Sequence, residues 1–184
     1  MWRLWLDMDP ETKAMVAKRA TWVGVVLMLI GLAGVVFPEV MSLAVVFFVA
    51  WLMLFAGLIA GYFTWHFDKE DWLGWLKTFV LIATALFLIF KPLPGVAAVG
   101  LLLAIYFLFD AFGNFGIAFS MKPAKGWGWW LLNGILSLAL AVIFLVGWPF
   151  SSMVFVGLFV GISLFFDGVV LLVLGNNLKK ELRS

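Results

Sequence analysis

The sequence predicts an all-α integral membrane protein: six transmembrane helices, paired as three parallel-repeat hairpins in a pseudo-threefold arrangement. Three observations lead there. First, hydrophobic residues make up 66% of the 184-residue chain and charged residues only 12%, against about half and a quarter in a soluble domain. Second, residues 20–38, 40–67, 78–90, 92–109 and 126–166 contain no Asp, Glu, Lys or Arg. Intervals of that length cannot be covered with water-facing surface in so short a chain, so lipid is the solvent. Third, the turn prolines and the Phe-Ala or Phe-Asp pairs recur at the same two offsets along the chain.

The clearest stretch runs from Gly126 to Gly175, apolar on both sides of a Gly-Trp-Pro-Phe turn at 147–150 and carrying one charge, Asp167. Fifty helical residues would extend about 75 Å, enough to cross a hydrocarbon core of about 30 Å twice with a turn between. The eighteen glycines and six prolines also fit, since both are commoner in membrane helices than in soluble ones.

Taken in order, residues 1–19 form an amphipathic segment. Asp9 reads as an N-cap, with Pro10 in the first helical position and Glu11 in the first turn, which suits the unpaired amides and the helix dipole. Trp2, Leu4, Trp5, Leu6 and Met8 form either an interfacial anchor or a frayed end. The segment is mixed in charge and no Ala-x-Ala site follows the first apolar run, so it does not read as a cleavable signal peptide. Spans follow at 20–37, 41–65, 72–90, 95–119, 127–146 and 150–175, and then a basic tail over 176–184. Asn176 and Asn177 after Gly175 read as a helix C-cap.

Three connections are tight and centred on Pro38, Pro92 and Pro149, whereas those at 66–72 and 121–126 are charged and flanked by Trp. Eleven Lys and Arg residues fall on the side of the charged connections and termini, and Lys91 alone falls on the other. Basic residues stay on the cytoplasmic side, so both termini are expected in the cytoplasm. Lys77, just inside the third span, can extend back to the inner surface. Trp65, Trp72, Trp75, Trp127, Trp129 and Trp130 form an aromatic belt there.

The turn prolines are separated by 54 and 57 residues, and so are Phe55-Ala56, Phe109-Asp110 and Phe166-Asp167. In the odd spans Gly24 and Gly31 match Thr78 and Ala85, then Gly134 and Ala141 after one extra loop residue. Small residues seven apart share a helix face and let backbones approach closely. The repeats are read as about 20–66, 72–121 and 126–175, each re-entering from the same side.

Gly-Trp-Gly-Trp-x-Leu-x-x-Gly-Ile-Leu-Ser-Leu at 126–138, the Pro-centred turn, and Gly-Ile-x-x-x-x-Asp-Gly at 161–168 resemble the HdeD-like family of bacterial inner-membrane proteins. The resemblance covers roughly residues 20–180, closest in the third repeat and loosest in the first, where Ala56 stands in the Asp position. It implies a six-span protein built from a short repeat of unknown function, with a role in acid resistance. It supplies no catalytic motif.

Asp110 and Asp167 each lie 12 residues before the first lysine at the end of their helix, Lys122 and Lys179. That is about 18 Å of helix, well inside the hydrocarbon, where an ionised carboxylate costs roughly 2.5–3.5 kcal/mol. Both are therefore expected to face the bundle interior near Asn114, Asn133, Ser137 or Ser163. They act either as a proton- or ion-binding pair or as ties between helices. His66, beside Asp68 and Glu70, is either a pH-sensing or a solvated loop residue, and Glu39 either a gate or a solvated cap. Phe47, Phe48, Trp51 and Phe55 read as lipid-facing or packing residues rather than a ligand cage.

The chain has no Cys and one His, which argues against disulfides, thiol chemistry and a zinc or copper site. No nucleophile–base pair or phosphate loop appears, so no cofactor and no enzymatic activity are expected. The net charge of +2 reflects basic residues beside the spans and not a nucleic-acid surface. The expected partners are the lipid bilayer and, beyond it, a second copy or another membrane protein. Three functions fit: a stress-resistance protein of the inner membrane, a small proton-coupled transporter or channel using Asp110 and Asp167, and a membrane scaffold.

Overall fold

The computed structural model describes residues 10–181. They form six helices: α1 (Pro10–Val36), α2 (Pro38–Phe67), α3 (Trp72–Phe90), α4 (Pro92–Met121), α5 (Trp127–Leu145) and α6 (Ser152–Glu181). Among the described residues there is no strand. All six helices are long and apolar enough to cross a membrane, as the sequence predicts.

Prolines set the starts. Pro38 opens α2 after the single residue Phe37, and Pro92 opens α4 directly after Lys91, because proline lacks the N–H that a first helical residue leaves unpaired. Glycines serve the two longer turns: Gly126 precedes α5 with φ 105°, and Gly147 turns the chain before α6 with φ 77°, conformations open to a residue without Cβ. Trp148 steadies that second turn by donating from Nε1 to the Ala97 carbonyl at 3.0 Å.

One boundary agrees with the sequence reading and one differs. The first helix starts at Pro10, as read, and residues 10–19 continue into the first span, since PETKAMVAKR holds helix formers and no breaker follows Arg19. The proposed cap residue Asp9 and the aromatic cluster at 2–8 lie outside the described residues. At the other end, Gly175, Asn176 and Asn177 do not cap a helix; α6 runs through them to Glu181. Gly175 is needed for packing instead, because a methyl placed on it would lie 2.6 Å from Thr21 Oγ1 and 3.0 Å from the Ala17 carbonyl.

The chain divides into two compact units. One holds α1, the start of α2 to Met41 and α6 from Gly157. Its centre is the antiparallel pairing of α1 with α6. A methyl on Gly168 would stand 2.6 Å from the Gly24 carbonyl, and one on Gly161 would stand 2.8 Å from Gly34 C. The other unit spans Ser42–Val156. There α2 meets α3 at Gly57 and Gly61, whose added methyls would lie 2.7 Å from Ile82 Cγ1 and 2.9 Å from Thr78 Cγ2. The α4–α5 contact forms at Gly134, which sits under Phe115 and near the Ala111 carbonyl. The start of α6 is held by Ser42 Oγ, which donates to the Met153 carbonyl at 2.6 Å.

These seams use the small residues expected in the odd helices: Gly24 and Gly31, Thr78 and Ala85, Gly134 and Ala141 are all buried. The matching seam of the even helices is a structural finding. Residues 12, 19 and 26 positions after each turn proline are Ala50, Gly57 and Thr64, then Ala104, Ala111 and Ala118, then Gly161, Gly168 and Gly175, and all nine are buried. A spacing of seven keeps one face toward a partner helix, as in a left-handed coiled coil. The preceding phenylalanines, Phe55, Phe109 and Phe166, point outward. Phe47, Phe48 and Trp51 are exposed as well, in keeping with a lipid-facing role.

Replacing Gly31 by Ala drives a methyl into the Phe165 backbone, with the Gly161 carbonyl 2.7 Å away. Such overpacking costs about 1–3 kcal/mol, and Gly31→Ala is expected to lower the unfolding temperature in detergent. Nothing lies within 4 Å of a methyl on Gly116, so Gly116→Ala should leave that temperature unchanged or raise it slightly.

Candidate functional site

The polar group that the fold assembles inside the spans belongs to α4 and α5. Asp110 lies one residue before the seam position Ala111, which turns its carboxyl toward α5. Ser137 Oγ donates to Asp110 Oδ2 at 2.6 Å. Asn114, one turn further along α4, donates from Nδ2 both to the same Oδ2 at 2.9 Å and to the Asp110 carbonyl at 2.7 Å. Asn114 and Ser137 are buried and Asp110 is half-buried. One carboxylate oxygen thus takes two uncharged donors, and Oδ1 has no partner among the described residues.

Three of the residues singled out in the sequence therefore meet: Asp110, Asn114 and Ser137. The others do not join them. Asn133 is exposed on α5; it directly precedes the seam residue Gly134, and one residue turns a helix by about 100°. Asp167 is exposed on α6 and has no hydrogen-bond partner among the described residues.

Register explains the contrast. Gly24, Thr78 and Gly134 are equivalent, so Ser137 corresponds to Leu81 on α3 and Leu27 on α1. The partner positions on the even helices are Ala56 and Ala60, Asp110 and Asn114, Asp167 and Leu171. Only the middle set combines a carboxylate with two donors. In the last set the carboxylate remains, but leucines occupy both donor positions. This combination across repeats could have been read from the 54-residue and 57-residue offsets once the even helix was assigned to the following odd one.

Ser163 is half-buried within α6 and does not join the group; the other polar residues singled out in the sequence lie at the helix ends. His66 stacks on Tyr62 in the last turn of α2, ring centroids 5.1 Å apart, and is exposed. Asp68 Oδ1 accepts from the Glu70 amide at 3.1 Å, a local turn contact. Glu39 is exposed in the first turn of α2. Lys122 lies over the Trp127 ring at 4.3 Å and Lys69 over Trp65 at 4.7 Å, so the aromatic belt also holds cations. Among the described residues no group of three or more His, Asp or Glu is placed to hold a metal ion.

Comparison with the curated proteins and with the solved structures finds no match. A family model describing a short repeat of unknown function, DUF308, matches residues 22–90, 76–146 and 143–184. The first two matches begin 54 residues apart, the interval that separates Pro38 from Pro92. With three matches that together run from residue 22 to residue 184, the chain belongs to the DUF308 short-repeat family.

Proposed function

We propose that the protein is a non-enzymatic integral protein of the bacterial inner membrane, of the HdeD type, serving resistance to acid or envelope stress. The repeat family and six apolar helices support the multi-pass placement. The eleven-to-one distribution of Lys and Arg supports cytoplasmic termini. The observation that carries the stress reading is Asp110. An ionised carboxylate only accepts hydrogen bonds, whereas a protonated one must also donate. Ser137 and Asn114 present donors to Oδ2, and such bonds are about twice as strong to an ionised carboxylate as to a neutral carboxyl, so the charge on Asp110 bears on how firmly α4 holds α5. A small proton-coupled transporter would use the same carboxylate, and the two readings part on whether solute or protons cross.

A second reading, a scaffold for another copy or another membrane protein, is favoured by Asp167. A carboxylate within a span and without a donor is costly in lipid, and a partner helix that supplies a donor removes that cost.

Ser137→Ala is expected to lower stability by about 0.6–1.7 kcal/mol, the usual range for a hydrogen bond between membrane helices. In an Asp110→Ala background the same change should cost almost nothing, while Asp167→Asn leaves stability near wild type. Cells carrying folded Asp110→Asn should survive acid challenge less well than wild type; equal survival would remove Asp110 from the stress role. Proton uptake by proteoliposomes that is lost in Asp110→Asn would establish transport instead. The chain has no native Cys, so Val170→Cys, on the exposed face of Asp167, should give a disulfide-linked dimer in oxidised membranes if copies meet there. Absence of any cross-linked species would count against self-association through that face.

A further inference from the structure

The α2–α3 pair carries a groove where the α4–α5 pair carries its polar group. The groove is open at the surface and has a volume of about 680 Å³. Its lining includes Ala56, Ala60 and Leu81, the three positions equivalent to Asp110, Asn114 and Ser137. Two alanines and a leucine at those positions remove the side-chain hydrogen-bonding groups that the α4–α5 pair has there. Ile59 and Phe63 add apolar lining. From Ala56 to Thr64 the groove follows α2 for about 12 Å, toward the Lys-rich end of the helices.

The chemistry changes at that end. Asp71 and Lys77 line the mouth, both exposed and neither in an ion pair among the described residues. Asp71 stands at the N-terminus of α3 and makes no side-chain capping bond. Lys77 lies two turns further on, where the uncharged run 78–90 begins. Exposed Trp72 flanks the mouth, and Trp75 donates from Nε1 to the Lys69 carbonyl at 3.1 Å, as residues at the membrane–water boundary do. An apolar channel ending in one free cation and one free anion at headgroup level matches an acyl chain joined to a zwitterionic headgroup.

We propose that this groove binds a phospholipid whose headgroup carries a primary ammonium. The acyl chain lies over Ala56, Ala60 and Leu81, the phosphate meets Lys77, and the ammonium donates to Asp71. A purely anionic headgroup would bring negative charge against Asp71, and a quaternary ammonium has no N–H to donate to it. The proposal rests on the α2–α3 groove alone and is independent of the Asp110 reading.

The test uses the full chain in detergent micelles doped in turn with phosphatidylethanolamine, phosphatidylcholine or phosphatidylglycerol. Native mass spectrometry reads the lipid retained, and thermal unfolding reads the stabilisation. Phosphatidylethanolamine should be retained above the other two and should raise the unfolding temperature most, while free phosphoethanolamine should do neither. Lys77→Gln should weaken retention about fivefold, the factor that a basic residue at the membrane surface is worth. Asp71→Asn should erase the preference over phosphatidylcholine. Ala60→Leu should fill the groove and abolish retention without lowering the unfolding temperature in lipid-free detergent. If that variant fails to fold, the two exposed charge variants decide the matter. Equal or stronger retention of phosphatidylglycerol, unchanged retention in the charge variants, or a lipid-free dimer that Ala60→Leu dissociates would each overturn the proposal.

Discussion

Helices in lipid gain little from burying apolar side chains against each other, because the acyl chains are as apolar as leucine. What remains is van der Waals contact, and its strength depends on how closely two backbones can approach. In this protein the approach is made wherever a small residue recurs at a spacing of seven. Gly24 against Gly168 and Gly31 against Gly161 are two close instances. The turns, the outward phenylalanines and the polar group at Asp110 all take their positions from those seams.

The seams also decide which polar residues acquire a role. Asp110 and Asp167 have the same neighbours in sequence, a phenylalanine before and a small residue after. Asp110 finds a hydroxyl and an amide at hydrogen-bonding distance, whereas Asp167 is exposed because leucines stand where those donors would be. The repeat thus provides three equivalent positions beside three equivalent seams, with a different content at each: a bare apolar groove, a bonded carboxylate and a carboxylate without donors.

Much of the architecture was legible in the sequence for a physical reason. Lipid demands long uncharged intervals, and prolines and glycines mark where each helix must start or turn. Thr78, Ala85, Gly134 and Ala141 stood out because they fall at the positions of Gly24 and Gly31 when the repeats are aligned. The even-helix seam was harder to see because Ala50, Ala104 and Gly161 are scattered among many other alanines and glycines. Only the structure shows which of these face a partner. Asn133 was misjudged for the same reason, its distance from Gly134 being short in sequence but a wide angle around the helix. Gly175 resembled a helix stop because glycine serves both as a terminator and as a contact surface, and here the contact with Thr21 and Ala17 prevails.

The pairing of α1 with α6 bears on how the protein is made. Gly31 and Gly161 are 130 residues apart in the chain, and at typical synthesis rates roughly 10 s separate their emergence from the ribosome. Being made before α6, α1 therefore waits for it with its glycine face uncovered. Through that interval α1 must persist in lipid without its native neighbour, so its own hydropathy, and not its packing, has to keep it inserted. The apolar side chains around the glycine seam, from Trp22 to Val36, supply that anchorage while the seam is still open.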